Sequence, residues 1–148
     1  MPNVIVVAGA LIEDGVLLVA QRNRPPELAG LWELPGGKVG PGESERSALA
    51  RELHEELGVH VAVGDRIGGE VALSPMISLR AYVVTRTGGE LIAHDHRALR
   101  WVRAVELDGL DWVPADRTWL PDLARALGAA GHRDAATNSD GMTPPAQG

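Results

Sequence analysis

Apolar residues recur along this chain with two different periods. From Val4 to Ile12 they run almost unbroken and rich in β-branched types, and after Glu13-Asp14-Gly15 they resume from Val16 to Ala20. Such runs on either side of an Asp-Gly pair predict two antiparallel strands joined by a hairpin. Between Ser44 and Leu57 the period lengthens: Leu49, Leu53 and Leu57 are spaced by four, the buried stripe of a helix. Ser44 is placed to cap its start, Glu45 suits its positive end, and Gly58 can close it. Strand patterns return around 59–63, 67–73 and 77–86, with Gly88-Gly89 as a turn, then a shorter strand at 99–103 and a helix over 117–127. Past Gly128 the periodicity stops, which makes residues 1–128 one domain and 129–148 a disordered C-terminal tail.

Composition narrows the classes. A chain of 148 residues suits one hydrophobic core, and with four Trp, one Tyr and no Phe that core must be aliphatic. The absence of cysteine excludes disulfides, thiolate nucleophiles and zinc fingers, and leaves oxygen or imidazole as the metal ligands. A net charge of -6 argues against a face that grips a nucleic-acid polymer. The Val4–Ile12 run has no basic leader and is too short to span a bilayer, so a cytoplasmic protein with no membrane partner is expected. So few aromatics give no interface signal from which to read an oligomeric state.

Two stretches carry the chemistry. Gln21 to Gly42, punctuated by Pro and Gly, is long for a connection inside a compact domain, and loops of that length are usually functional. The predicted helix then crowds Glu52, Glu55 and Glu56 onto one stripe beside its buried face, where like charges three and four apart repel. Something positive should sit against them. Mg²⁺ prefers oxygen ligands and binds through a few carboxylates plus substrate phosphates, and glutamates at this spacing supply such a set from one rigid rod. The bland alternative is a solvated acidic face. It loses ground because the glutamates follow the turn Pro35-Gly36-Gly37-Lys38, whose bare backbone can approach a metal closely.

The order Gly37, Glu43, Arg51, Glu52, Leu53, Glu55, Glu56, Gly58, Val59 resembles the Nudix box at every specified position. Over roughly residues 3–127 the chain is similar to MutT-type nucleoside triphosphate pyrophosphohydrolases, mycobacterial paralogues acting on CTP, dCTP or 8-oxo-dGTP among them. The resemblance implies an α/β/α sandwich with a mixed sheet. It also implies Mg²⁺-dependent hydrolysis of a nucleoside triphosphate to the monophosphate and pyrophosphate, in nucleotide-pool sanitation or control, with Mn²⁺ able to substitute. By resemblance, the Gly36 carbonyl, Glu52 and Glu56 are metal ligands with Glu55 in the same cluster, and Glu52, Glu55 and Glu56 are the catalytic set. Asp95 stands where the family places a further glutamate, and being one methylene shorter it would reach the metal through water. Glu43 and Arg51 form a supporting ion pair, with Gly37 structural. Arg22, Glu33, Leu34, Pro35, Gly36 and Lys38 line the nucleotide; for Arg22 a surface salt bridge is the competing role.

Asp116 departs from the family pattern, which has Asn there. An ionised Asp offers only acceptors, repelling the guanine O6 and favouring the cytosine amino group. A cap on the helix near Arg117 is the other role open to it. The preferred substrate is thus CTP or dCTP, with 8-oxo-dGTP as the alternative. ADP-ribose or nucleotide-sugar hydrolysis and a non-catalytic binding module rank lower, since the box is intact. Leu34 replaces a base-stacking aromatic, a loss for which Trp32 or Tyr82 could compensate. His94 and His96, beside Asp95, read as ordinary loop histidines for want of a third imidazole or thiolate.

Overall fold

The computed structural model describes residues 4–137. β1 (Val4–Glu13) and β2 (Val16–Gln21) form the hairpin that the opening pattern predicts. Asp14 and Gly15 sit at φ 51° and 79°, the paired positive values of a type I′ turn, whose twist matches the strands it joins. β1 is the spine: it pairs in parallel with β6 (Ile77–Gly88) and antiparallel with β2 and with β4 (Gly36–Lys38). β2 also carries β3 (Trp32–Glu33) and β7 (Ala98–Val102), and β6 carries the edge strand β5 (His60–Ser74). Among the described residues this makes one mixed seven-stranded sheet of order β3-β2-β1-β6-β5, with β4 and β7 paired off that path.

Burial on both faces explains why β1 reads as an unbroken apolar run. Val7 and Leu11 face α1 (Glu45–Leu57), whose Ala48, Leu49, Leu53 and Leu57 are wholly buried. Ala8 and Ala10 point the other way, into a core closed by Trp112, Trp119, Leu123 and Leu127 around α2 (Pro114–Arg117) and α3 (Leu120–Thr137). Each wholly buried leucine contributes about 2 kcal/mol, so the two helical layers hold the sheet between them as the expected sandwich. The caps of α1 are the predicted ones. Ser44 Oγ accepts from the Ser47 N–H at 3.1 Å, and Gly58, at φ 76°, donates to the His54 carbonyl at 3.0 Å.

Several expectations need correcting. The strands predicted at 59–63 and 67–73 are one strand, β5, in which register shifts between Val63 and Arg66 and between Ile67 and Val71 absorb the glycines that looked like a break. Only Gly89, at φ 87°, turns the chain out of β6; Gly88 still belongs to the strand. The helix predicted over 117–127 is two pieces, because Pro114 starts α2 early. α3 then runs on to Thr137, past the boundary set at Gly128. The alanines beyond Gly128 favour helix intrinsically, a signal that apolar periodicity does not register; the remainder of the tail, 138–148, lies outside the described residues. Among the described residues no helix is long and apolar enough to cross a membrane.

Candidate active site

The long connection from β2 to α1 is not a free loop. Its Gly36-Gly37 step, expected as a turn, is strand β4, paired with Ala8 and Val7 of β1. Glycine is required there for closeness to neighbours. A Cβ on Gly36 would lie 1.9 Å from the Val7 carbonyl oxygen, and one on Gly37 would lie 2.3 Å from the Glu52 carboxyl carbon. The backbone of β4 and the Glu52 side chain are therefore in direct contact. The two glycines should fail differently. Gly36→Ala, which meets rigid backbone, should cost about 3 kcal/mol of stability in thermal denaturation. Gly37→Ala, which meets a movable carboxylate, should fold but lose about 100-fold in turnover as Glu52 is pushed aside.

Arg51 organises the glutamates. Its Nε and Nη2 donate to Glu43 at 2.7 and 2.9 Å, a two-pronged pair, and Nη2 also reaches the Lys38 carbonyl at 3.1 Å. Its Nη1 donates to Glu52 at 3.1 Å and to Glu55 at 3.2 Å. Hydrogen bonds from Arg51 and from the Gly40 N–H pull the Glu43 carboxyl down to about 2. The positive group that the crowded carboxylates call for is thus present within the motif itself. Glu55 is the outlying member, its side chain 57% exposed, and among the described residues no three carboxylates or imidazoles are gathered at coordinating spacing.

Glu56 is different. Its Oε1 is buried and has no hydrogen-bond partner. Burial, then the charge of neighbouring Glu52, push its carboxyl up to about 8. It sits in a cleft of about 220 Å³ that is lined also by Arg22, Asn23, Arg24, Glu33, Gly36, Asp95 and His96. Of the residues expected around the ligand, the structure brings Arg22, Glu33, Gly36, Glu56 and Asp95 together there. Asp95 pairs with Arg24 at 2.9 Å, and Arg22 with Glu33 at 2.9 Å. Arg22 therefore makes its salt bridge and lines the cleft as well, and the two readings do not compete.

Asn23, Arg24 and His96 were missed by sequence reasoning. The basic Arg22-Asn23-Arg24 run was a usable signal. His96 gave none, since loop burial has no period: its side chain is only 6% exposed and bonds Glu33 at 2.9 Å, so it is no ordinary loop histidine.

The remaining expected contacts lie elsewhere. Lys38 is exposed on β4. Leu34 and Pro35 are buried, Leu34 within the aliphatic core, which corrects the view of their side chains as cleft lining. Tyr82 is no base platform either, being buried against α1 with its hydroxyl on Glu45. Asp116 is 4% exposed, and its Oδ2 accepts the Leu34 N–H at 2.8 Å across to the strand that carries Glu33. The cap role is overturned: Val113 is the cap position of α2, and the Asp116 carboxylate leaves its own helix. Burial raises its carboxyl to about 7 despite the Leu34 bond, so ionised-only chemistry is also corrected.

Glu33, Glu56 and Asp95 with the Gly36 backbone offer the cleft oxygen donors, one of them a buried, unpartnered carboxylate oxygen, and such donors fit a hard divalent cation; His96 adds one buried ring nitrogen. A sheet between helical layers, a glycine strand against a glutamate helix, and an acidic floor beneath arginines define a class, and the match of the NUDIX domain to residues 2–123 agrees: the chain belongs to the Nudix family. It is 64% identical over 130 residues to a Mycobacterium tuberculosis protein with the provisional name 8-oxo-dGTP diphosphatase 2, covering 86% of this chain and 92% of that one. It is 44% identical over 119 residues to the CTP pyrophosphohydrolase of Escherichia coli, covering 78% and 87%. Among solved structures, a MutT NUDIX hydrolase from Burkholderia pseudomallei superposes with a TM-score of 0.67 at 30% identity, covering 82% and 98%.

Proposed function

We propose that the protein hydrolyses a nucleoside triphosphate, preferably CTP or dCTP, to the monophosphate and pyrophosphate with the help of Mg²⁺. The observation that carries this reading is Glu56, a buried carboxylate with an unpartnered oxygen in a cleft edged by Arg22 and Arg24. Nudix hydrolases generally use divalent metals; here the Gly36 carbonyl, Glu52 and Glu56 would hold the ion, with Glu55 and Asp95 beside them. Bound there, the ion offsets the phosphate charge and makes an attacking water more acidic. Glu52 accepts the proton of the water that attacks the β-phosphorus, the bond from that phosphorus to the α–β bridging oxygen breaks, and the nucleoside monophosphate leaves while the attacking oxygen stays in the pyrophosphate. Arg22 and Arg24 face the phosphates, Lys38 approaches them from β4, and the Glu43–Arg51 pair keeps the β4–α1 junction in register. Asp116, behind Leu34, sets the base preference.

A second reading, an 8-oxo-dGTP diphosphatase, is favoured by the name of the 64% identical relative and by the raised Asp116 carboxyl, which can donate as well as accept when protonated. Incubation with Mg²⁺ and a panel of CTP, dCTP, 8-oxo-dGTP, ADP-ribose and nucleotide sugars, with pyrophosphate and orthophosphate followed separately, tests both. Pyrophosphate from the cytosine nucleotides, abolished by EDTA and restored by Mg²⁺, is the expected result. Turnover confined to ADP-ribose or a nucleotide sugar would defeat the proposal, and so would no product from any member.

A further inference from the structure

Outside the glutamates, the most unusual group in the molecule is His96. It sits in an exposed stretch between β6 and β7, yet its own side chain is only 6% exposed. One ring nitrogen, Nε2, lies 2.9 Å from Glu33 Oε2, while the other, Nδ1, is buried with no partner. Glu33 uses its second oxygen, Oε1, on Arg22 Nη1 at 2.9 Å, and its side chain is 14% exposed. The three residues form a continuous chain, His96 to Glu33 to Arg22, along one wall of the cleft that also holds Glu56. The backbone keeps the ends of the chain together. Arg97 N–H donates to the Gln21 carbonyl at 2.8 Å, and Ala98 is paired with Gln21, so the segments bearing His96 and Arg22 are neighbours by strand register.

Glu33 is chemically out of place unless it has a task. A carboxylate in a cleft that receives a polyanion repels the ligand, and its charge already bears on Glu56. We infer that His96 is a positioning residue: by holding one oxygen of Glu33 it turns the other onto Arg22 Nη1, and so, together with the Arg24 carbonyl that accepts from Arg22 Nε at 3.1 Å, fixes the guanidinium with Nη2 left for the triphosphate. This inference rests on the proposed triphosphate hydrolysis. Because Glu33 can only accept when ionised, the Nε2 proton belongs to that bond, and the geometry gives imidazole a reason to be there that an apolar side chain lacks. A residue chosen to fill space would bury no partnerless nitrogen, so the buried Nδ1 marks His96 as kept for the bond its other nitrogen makes.

That contrast supplies the test. His96→Leu should remain folded, yet raise KM for the preferred triphosphate about tenfold with kcat within about twofold. His96→Gln, whose amide can donate to Glu33, should recover most of the lost KM. In a double-mutant cycle, Arg22→Ala should raise KM as well, and adding His96→Leu to it should cost little more. An unchanged KM in His96→Leu overturns the inference, as does additivity with Arg22→Ala, or a loss confined to kcat. Absence of turnover in the wild-type protein would instead remove the underlying reading, so the two failures are separable.

Discussion

Glu56→Gln is expected to lower kcat by about three orders of magnitude while the metal-free protein stays folded and at least as stable as the wild type. The two halves of this outcome have one cause. The unpartnered Oε1 is a buried acceptor with nothing in the protein to accept from, and burial together with Glu52 raises the carboxyl from 4.5 to about 8. Near neutral pH and without metal the side chain is therefore protonated, and glutamine mimics it in shape and charge. With a cation and a triphosphate present, the carboxylate is needed in its charged form, and the amide cannot supply it. Glu52→Gln should cost turnover on the same scale, with Gly37 still in contact with the amide. The pH arm has a definite sign. A carboxyl raised in the folded state binds its proton more tightly there, so its contribution to stability is full below about 4.5 and is lost as pH rises through about 8. Between about pH 5 and 9 the metal-free wild type should lose melting temperature more steeply than Glu56→Gln. Added Mg²⁺ should raise the melting temperature of the wild type and not of the variant. Near-normal turnover in both glutamine variants would sink the metal site.

Much of the fold could be read from local rules because those rules coincide with burial. The β1–β2 hairpin follows from an Asp-Gly pair between apolar runs, and α1 follows from a leucine stripe with a serine and a glycine at its ends; each is a short-range signal that packing reinforces. The box glutamates were legible for the same reason, since one helix fixes their relative positions. What the chain order hid was whatever depends on distant partners. β4 looked like a turn because glycines usually signal one, whereas here they mark backbone passing within van der Waals contact of Val7 and Glu52. His96 looked idle because its partner, Glu33, is distant in sequence. Leu34 was placed in the cleft by analogy with a stacking aromatic, but an aliphatic side chain at that position gains more from the core beside Trp112 than from a wet pocket. The cap role open to Asp116 rested on its position at a helix start, and its tertiary partner, the Leu34 N–H, overrode that local role.

Asp116→Asn should shift base preference away from cytosine, lowering kcat/KM for CTP relative to 8-oxo-dGTP by about 10- to 100-fold. The geometry behind this effect is indirect: Asp116 grips the backbone between Glu33, which lines the cleft, and the buried Leu34, so on the proposed reading its hydrogen-bonding character reaches the base through that backbone. Only the ionised carboxylate is a pure acceptor. Burial raises it from 3.8 to about 7, the Leu34 N–H opposes the rise, the charge of Glu33 adds to it and that of Arg22 subtracts. In the wild type, preference for CTP should therefore grow as pH is raised through about 7, and in Asp116→Asn the ratio should be flat. Stability provides an independent check. The raised carboxyl stabilises the fold fully below about 3.8 and loses that contribution by about 7, a difference of about 4 kcal/mol. Asparagine keeps an acceptor for Leu34 and carries no charge, at a cost of about 1–3 kcal/mol for its amide protons if they find no acceptor. The variant should thus be the more stable form at about pH 8 by about 1–3 kcal/mol and lose that advantage at about pH 5. If the CTP to 8-oxo-dGTP ratio is the same in both proteins across this range, Asp116 holds the wall in place without choosing the base.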